Sequence, residues 1–131
     1  MNLERKKLMQ SLATVSEYIH QVNLIKWFDL MHKEFAGRLF AIPNGGQRNI
    51  IVAKKLKAEG VRKGVFDLML PVQRRGFAGL FIEMKKLKGR PTESQLDWYN
   101  FLNDQGYCAT ICYGFDDAVK EIENYLSLSI K

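Results

Sequence analysis

An α/β domain with a mixed β-sheet flanked by helices is predicted by three features of this chain. Apolar residues recur at helical spacing in several segments, which alternate with short apolar runs typical of strands. The resulting order is helix, strand, helix, strand, strand, helix, strand, helix. The third feature is the length, since 131 residues suit one domain with a core of its own and are too few for two. We therefore treat residues 1–131 as a single domain.

The first part of the chain is predicted to form a helix, a strand and a turn. The helix covers residues from about 14 to 36, with Thr14 or Ser16 as its N-cap. A short apolar run at 39–42 predicts the strand, and the glycine-containing segment 43–46 predicts a tight turn after it.

A second helix is predicted over residues from about 48 to 59. Gly60 follows it, where a helix often ends in a residue that tolerates positive φ. Its buried side is expected to consist of Ile51, Val52, Ala53 and Leu56. Its exposed side is basic and contains Arg48, Lys54, Lys55 and Lys57.

Two strands and a third helix follow. The strands are predicted at about 65–72 and 78–86, and the glycine-containing loop between them is typical of a hairpin. A basic connector then leads to a helix that extends to about residue 105. Thr92 and Gln95 have the spacing of a capping box, in which each side chain accepts a backbone N–H of the other residue.

The chain ends with a predicted strand and helix. The strand covers 107–113, and the helix–strand unit 92–113 is expected to be a right-handed crossover. Asp116 is the expected N-cap of the last helix, which extends through Leu126. Cys108 and Cys112 are too far apart along a strand to form a disulfide, so we expect two reduced thiols in a cytosolic protein.

Charge and hydropathy restrict the possible partners. The formal net charge of +6 favours an anionic partner such as nucleic acid, although many basic proteins bind none. No run approaches ~18 consecutive apolar residues, so a membrane span is excluded. The N-terminus lacks the apolar core of a secretory signal, and we expect a cytoplasmic location.

Charged groups stand in the two strands predicted at about 65–72 and 78–86, where apolar side chains are expected. Glu83 and Lys85 are two apart, so they face one side of their strand, and Asp67 lies in the strand before it. A carboxylate on a core strand is costly unless something pairs with it. Because Asp67 and Glu83 offer hard oxygen ligands, they suit Mg²⁺ or Mn²⁺ and not zinc. The alternatives are an edge-strand ion pair for Glu83 and Lys85 and an ordinary surface acid for Asp67.

The pattern of Asp67 followed by Glu83-Met84-Lys85 resembles the PD-(D/E)XK nuclease signature, with Phe66 where the family name has proline. Further motifs resemble the VRR-NUC group of that superfamily, in its small stand-alone phage and bacterial form, over about residues 14–126. These motifs are Ser16-Glu17 with Gln21, Pro43-Asn44-Gly45-Gly46 with Arg48, Gly64 three residues before Asp67, and Gln95. The resemblance implies a restriction-endonuclease-like fold.

The resemblance also implies roles at a metal site. Asp67 and Glu83 would bind Mg²⁺ or Mn²⁺, together with the Met84 backbone carbonyl and with Glu17, directly or through water. Lys85 would orient the attacking water and stabilise negative charge on the phosphate. The alternative for Glu17 is a solvated acid.

Gln95 would hold the lysine or the water, unless it serves only as a helix cap. Gln21 is as well explained by solvation as by a role in the site.

Nucleic-acid contacts are expected from a glycine-rich turn and from the basic connector. The residues concerned are Asn44, Gly45, Gly46, Arg48, Lys86, Lys88 and Arg90, with Arg62 and Lys63 nearby. Such residues contact backbone phosphates without sequence preference. The turn is alternatively structural, and each single lysine or arginine is alternatively a solvated charge.

The function these features predict is that of a metal-dependent DNA endonuclease that hydrolyses phosphodiester bonds. Resemblance to stand-alone members adds a preference for branched DNA such as Holliday junctions and the pairing of two copies. A catalytically silent DNA-binding module of the same fold is the alternative, and an RNA-directed nuclease is a weaker one.

Overall fold

The computed structural model describes residues 2–5, 16–43 and 49–131. The main elements are α1 (Glu17–Met31), β1 (Phe40–Ala41), α2 (Ile50–Ala58), β2 (Leu68–Leu70), β3 (Leu80–Lys85), α3 (Glu93–Asp104), β4 (Cys108–Tyr113) and α4 (Phe115–Leu126), with a short 3₁₀ turn at Lys33–Phe35. Their order along the chain is the predicted one. No described helix is long and apolar enough to cross a membrane.

The four strands form one mixed sheet in the order β1-β2-β3-β4. β2 pairs antiparallel with both β1 and β3, which confirms the predicted hairpin between β2 and β3. β4 runs parallel to β3, with Glu83 opposite Ile111, so α3 is the crossover between these two strands. β3 is therefore a central strand, and all six of its residues are buried.

A hydrophobic cluster lies on each face of the sheet. The larger one joins α1 and α4 to the sheet and includes Leu24, Phe28, Ile82, Met84, Cys112 and Ile122. The smaller one joins α3 to the other face and includes Phe66, Phe81, Leu102 and Ala109, with Trp98 packed against it. Ile82 and Met84 of β3 thus face α1 and α4, whereas Glu83 and Lys85 point to the α3 side.

Two of the predicted helix caps are confirmed and one is wrong. Ser16 caps α1, and Thr92 and Gln95 form the complete capping box of α3. Asp116 does not cap α4, because the helix begins at Phe115, two residues earlier than predicted, with Gly114 at the N-cap. Asp116 instead lies in the first turn of the helix.

The predicted buried side of α2 is wrong. No residue of this helix is buried, and Ile51 and Ala53 are exposed, while Val52 and Leu56 are half-buried. Ile51 retains 79% of its accessible surface. Helical spacing identifies the apolar stripe of a helix, but it does not show whether another element covers that stripe.

Candidate active site

Glu83 is a buried carboxylate at the centre of the sheet. Only 2% of its surface is exposed. Lys85, its neighbour on the same face of β3, is 8% exposed. The Lys85 Nζ lies 3.8 Å from Glu83 Oε2. Since β3 has a paired strand on both sides, the edge-strand ion pair considered above does not describe this arrangement.

The two oxygens of Glu83 have different surroundings. Oε2 accepts a hydrogen bond from Gln95 Nε2 at 2.9 Å, whereas the buried Oε1 has no hydrogen-bond partner in the described part of the chain. Burial, the negative charge of Asp67 and a side-chain hydrogen bond with Asp67 raise the pKa of Glu83 to about 8, against the opposing effect of Lys85. The site thus holds a carboxyl group whose ionised form needs additional positive charge.

Asp67 lies directly before β2 and beside Glu83. Its Oδ2 accepts the backbone N–H of Met84 at 2.9 Å, across the β2–β3 pairing. Peptide groups alternate in direction along a strand, and the Lys85 carbonyl accepts the Gly114 N–H on the β4 side. The Met84 carbonyl is accordingly directed toward the β2 side, where Asp67 lies.

Gln95 links the start of α3 to Glu83. Its Oε1 accepts the Thr92 N–H at 2.9 Å, which leaves the amide NH₂ group to donate to Glu83. Gln95 therefore serves both as part of the helix cap and as the donor to Glu83. The structure places its amide on the carboxylate and not on the lysine.

The loop before Asp67 is fixed against α3 by contacts that the sequence analysis did not find. Gly64 has φ +84°, and a Cβ atom added there would lie 2.6 Å from the Cβ of Ser94. One turn further along α3, Trp98 Nε1 donates to the Lys63 carbonyl at 3.3 Å. In the sequence, Gly64 indicates that another part of the chain comes close to this loop. Nothing in the sequence identifies Ser94 and Trp98, about thirty residues later, as the residues that do so.

Glu17 lies in the first turn of α1 and is half-buried. Its negative charge is the smallest of the influences that raise the pKa of Glu83, so Glu17 lies within electrostatic range of that carboxyl. Among the described residues, it does not join Asp67 and Glu83 in a group of three acids placed to hold a metal ion. Gln21 lines a shallow, mainly apolar hollow on α1 with Tyr18, Val22 and Ile25, and no carboxylate of the site lines that hollow.

The proposed DNA-contact residues are only partly described. Lys86, Lys88 and Arg90 are exposed in the connector that follows β3 and the carboxylate site. Asn44, Gly45, Gly46 and Arg48 lie outside the described residues.

Within the described ranges, no group of three or more His, Cys, Asp and Glu side chains is placed to hold a metal ion. The donors that the site does offer are the Asp67 and Glu83 carboxylates. Mg²⁺ commonly takes one or two carboxylates and keeps water or substrate phosphate for its remaining positions. The unpartnered, buried Oε1 of Glu83 fits such a cation.

A mixed sheet with an aspartate before one strand and Glu-x-Lys on the next is the arrangement that resemblance to the PD-(D/E)XK nucleases implies. The family model for the VRR-NUC domain matches residues 11–116, and the chain therefore belongs to the VRR-NUC domain family. Members of this family are generally nucleases, and the domain indicates DNA binding.

A solved structure described as a VRR_NUC domain protein is similar to the chain. The two share 26% sequence identity and superpose with a TM-score of 0.78, over 88% of this chain and 91% of the other. Comparison with curated proteins gives no match.

Proposed function

We propose that the chain is a Mg²⁺- or Mn²⁺-dependent DNA endonuclease that hydrolyses phosphodiester bonds and prefers branched DNA such as Holliday junctions. The observation that carries the proposal is the buried Glu83 carboxyl, with one unpartnered oxygen, beside Asp67. Two neighbouring carboxylates are costly in a protein interior unless a cation offsets their charge.

The residues proposed to hold the cation are Asp67 and Glu83, with the Met84 carbonyl as a third donor and Glu17 acting directly or through water. When bound, the ion supplies an acidified water and offsets negative charge on the phosphate. Gln95 keeps Glu83 in one orientation, because its amide is itself held by the helix cap. Because the carboxylate is already oriented, less free energy is spent on reorienting it during the reaction.

Lys85 is the proposed partner of the reacting groups. Its stem is buried on β3, so the ammonium group is confined near Glu83 Oε2. From that position a fixed positive charge can orient the attacking water and stabilise charge that develops on the phosphate.

We assign DNA binding to three exposed residues of the connector, Lys86, Lys88 and Arg90. The connector follows directly after β3, the strand that carries the site. Contacts from these side chains to backbone phosphates would place the scissile bond without reading sequence. The turn of Asn44, Gly45 and Gly46, with Arg48, is assigned a second phosphate contact.

Pairing of two copies is proposed as well, because two sites related by a two-fold axis suit a four-way junction. We assign the protein to the cytoplasm of a phage or bacterial host cell, where its two cysteines would stay reduced. A catalytically silent DNA-binding module remains the second candidate. It is favoured by the small number of carboxylates grouped at the site in the described residues.

The test is cleavage of labelled linear, flapped and four-way-junction DNA with Mg²⁺, Mn²⁺ or EDTA, by the wild type and by Lys85→Ala. We expect metal-dependent cutting that is fastest on the junction and is lost in Lys85→Ala, while metal binding is retained. Linear duplex cut as fast as the junction would contradict the branched-DNA preference. DNA binding without cleavage in either metal would favour the binding module.

A further inference from the structure

His20 makes a hydrogen bond that joins α1 to the start of α4. The Phe115 N–H donates to His20 Nδ1 at 3.0 Å. Because a backbone N–H can only donate, Nδ1 is unprotonated and the ring hydrogen is on Nε2. Gly114 provides no side chain to cap α4, so the imidazole takes the place of the missing N-cap group.

The second ring nitrogen of His20, Nε2, makes no interaction within the described segments that would explain a histidine at this position. Nε2 is buried and has no hydrogen-bond partner among the described residues, a property that it shares there only with Glu83 Oε1. A buried unpaired donor is costly, and a hydrocarbon side chain would avoid that cost. The explanation for the imidazole therefore lies in the bond at Nδ1.

That bond anchors the part of α1 that carries Glu17. The two buried residues of α1, Leu24 and Phe28, lie from its middle onward, whereas Tyr18 in the first turn is 73% exposed. In the described part of the chain, His20 makes the one side-chain hydrogen bond that joins the first two turns of α1 to another element. A helix end without such contacts frays easily.

The contact also lies close to the end of β3. The Gly114 N–H donates to the Lys85 carbonyl at 2.9 Å, and a Cβ at Gly114 would approach the His20 ring to 3.4 Å. His20 therefore holds the first turns of α1 against the junction between β4 and α4, which is itself bonded to the Lys85 carbonyl. Glu17, three residues before His20, shares its side of the helix.

We propose that His20 is a positioning residue: through its bond to the Phe115 N–H, it fixes the first turn of α1 and thereby the position of Glu17 relative to Glu83. This inference rests on the proposed function, in which Glu17 assists metal binding.

The test compares His20→Leu with His20→Asn, whose Oδ1 can replace Nδ1 as the acceptor. The control is His32→Leu, because His32 bonds to Glu123 at 3.3 Å and so joins the far end of α1 to the same helix, α4. Each variant is measured for kcat and KM on a four-way junction, for Mn²⁺ affinity by calorimetry and for Tm.

We expect His20→Leu to lower kcat about tenfold with KM unchanged and to weaken Mn²⁺ binding, since a small displacement of a site group has effects of this order. His20→Asn should recover most of both losses, and His32→Leu should lower Tm alone. In a Glu17→Gln background, His20→Leu should cause no further loss of kcat or of Mn²⁺ affinity, because both changes act through Glu17.

Additive losses in the double variant, or equal effects of His20→Leu and His32→Leu, would overturn the positioning role. A wild type that binds Mn²⁺ and cuts no DNA would overturn the proposed endonuclease instead, and the Mn²⁺ affinities would still decide the role of His20. A wild type that binds no Mn²⁺ would overturn both.

Discussion

Glu83 is the residue on which the chemistry of the site depends, and its protonation couples the site to the stability of the fold. Folding raises the pKa of this carboxyl from the usual 4.5 to about 8. Between these values the folded chain holds a proton that the unfolded chain has released. The free energy of unfolding therefore falls as the pH rises through this window.

We expect this dependence to be measurable in metal-free protein. In EDTA, the contribution of Glu83 is fully present below about pH 4.5 and decreases toward pH 8, by up to about 1.4 kcal/mol per pH unit. Glu83→Gln removes this titration, so urea denaturation of both proteins from pH 5 to 8 compares their stabilities with and without it. Parallel pH profiles for the two proteins would contradict the raised pKa.

Gly64 is a second residue at which one side chain decides the geometry of the site. Gly64→Ala adds a Cβ at 2.6 Å from the Ser94 Cβ, on a backbone with φ +84°. We expect a loss of about 3 kcal/mol, from strain and overpacking together, and reduced cleavage, because the loop to Asp67 must move.

Gly60→Ala is the matched control for this substitution. Gly60 also has positive φ, at +103°, but a Cβ there would meet nothing within 4 Å. Its cost should be limited to backbone strain of about 1 kcal/mol, with cleavage unchanged. Equal losses of stability in the two variants, measured by urea denaturation, would show that the Ser94 contact is unimportant.

At the level of elements, α3 combines a structural and a functional task in its first turn. Thr92→Ala removes the capping side chain and should cost about 1 kcal/mol of stability, with little effect on cleavage. Gln95→Ala removes the other half of the cap and also the donor to Glu83 Oε2. We expect a comparable loss of stability together with a clear loss of cleavage rate, measured on the same junction substrate. A similar rate for both variants would mean that Gln95 acts only as a cap.

The order of the elements was predictable because helix and strand patterns are local properties of the sequence. The capping box was predictable for the same reason, since Thr92 and Gln95 are three residues apart. The exposure of α2 was not, because it depends on what lies beside the helix. Residue type favours Asp116 as the cap, although Gly114 is the N-cap of α4 and His20 supplies the acceptor from far away in the sequence.

The candidate site could be predicted in part. Asp67, Glu83 and Lys85 stood out because charged residues in apolar strands demand a partner. The groups that fix them come from other elements, as with Ser94 against Gly64 and the His20 contact with Phe115. No spacing in one sequence relates residues so far apart, and only the packed fold brings them together.

For the whole molecule, the net charge of +6 matters through its distribution around the site. Replacing Lys86, Lys88 and Arg90 by Gln removes three positive charges from the exposed connector next to Glu83 and Lys85. Each phosphate contact contributes about 0.9 to the slope of log K against log salt concentration on duplex DNA. We expect the slope to fall by up to about 3 and the affinity to fall with it.

The control for this prediction carries the same change of net charge at other exposed positions. Lys26, Lys33 and Lys120 are exposed on or directly after α1 and on α4, on the face of the sheet opposite the Glu83 side chain. Their replacement by Gln should leave the salt slope nearly unchanged, as measured by fluorescence anisotropy at several salt concentrations in EDTA. If the two triple variants lose affinity equally, DNA is attracted by the overall charge, and the connector is not the binding surface.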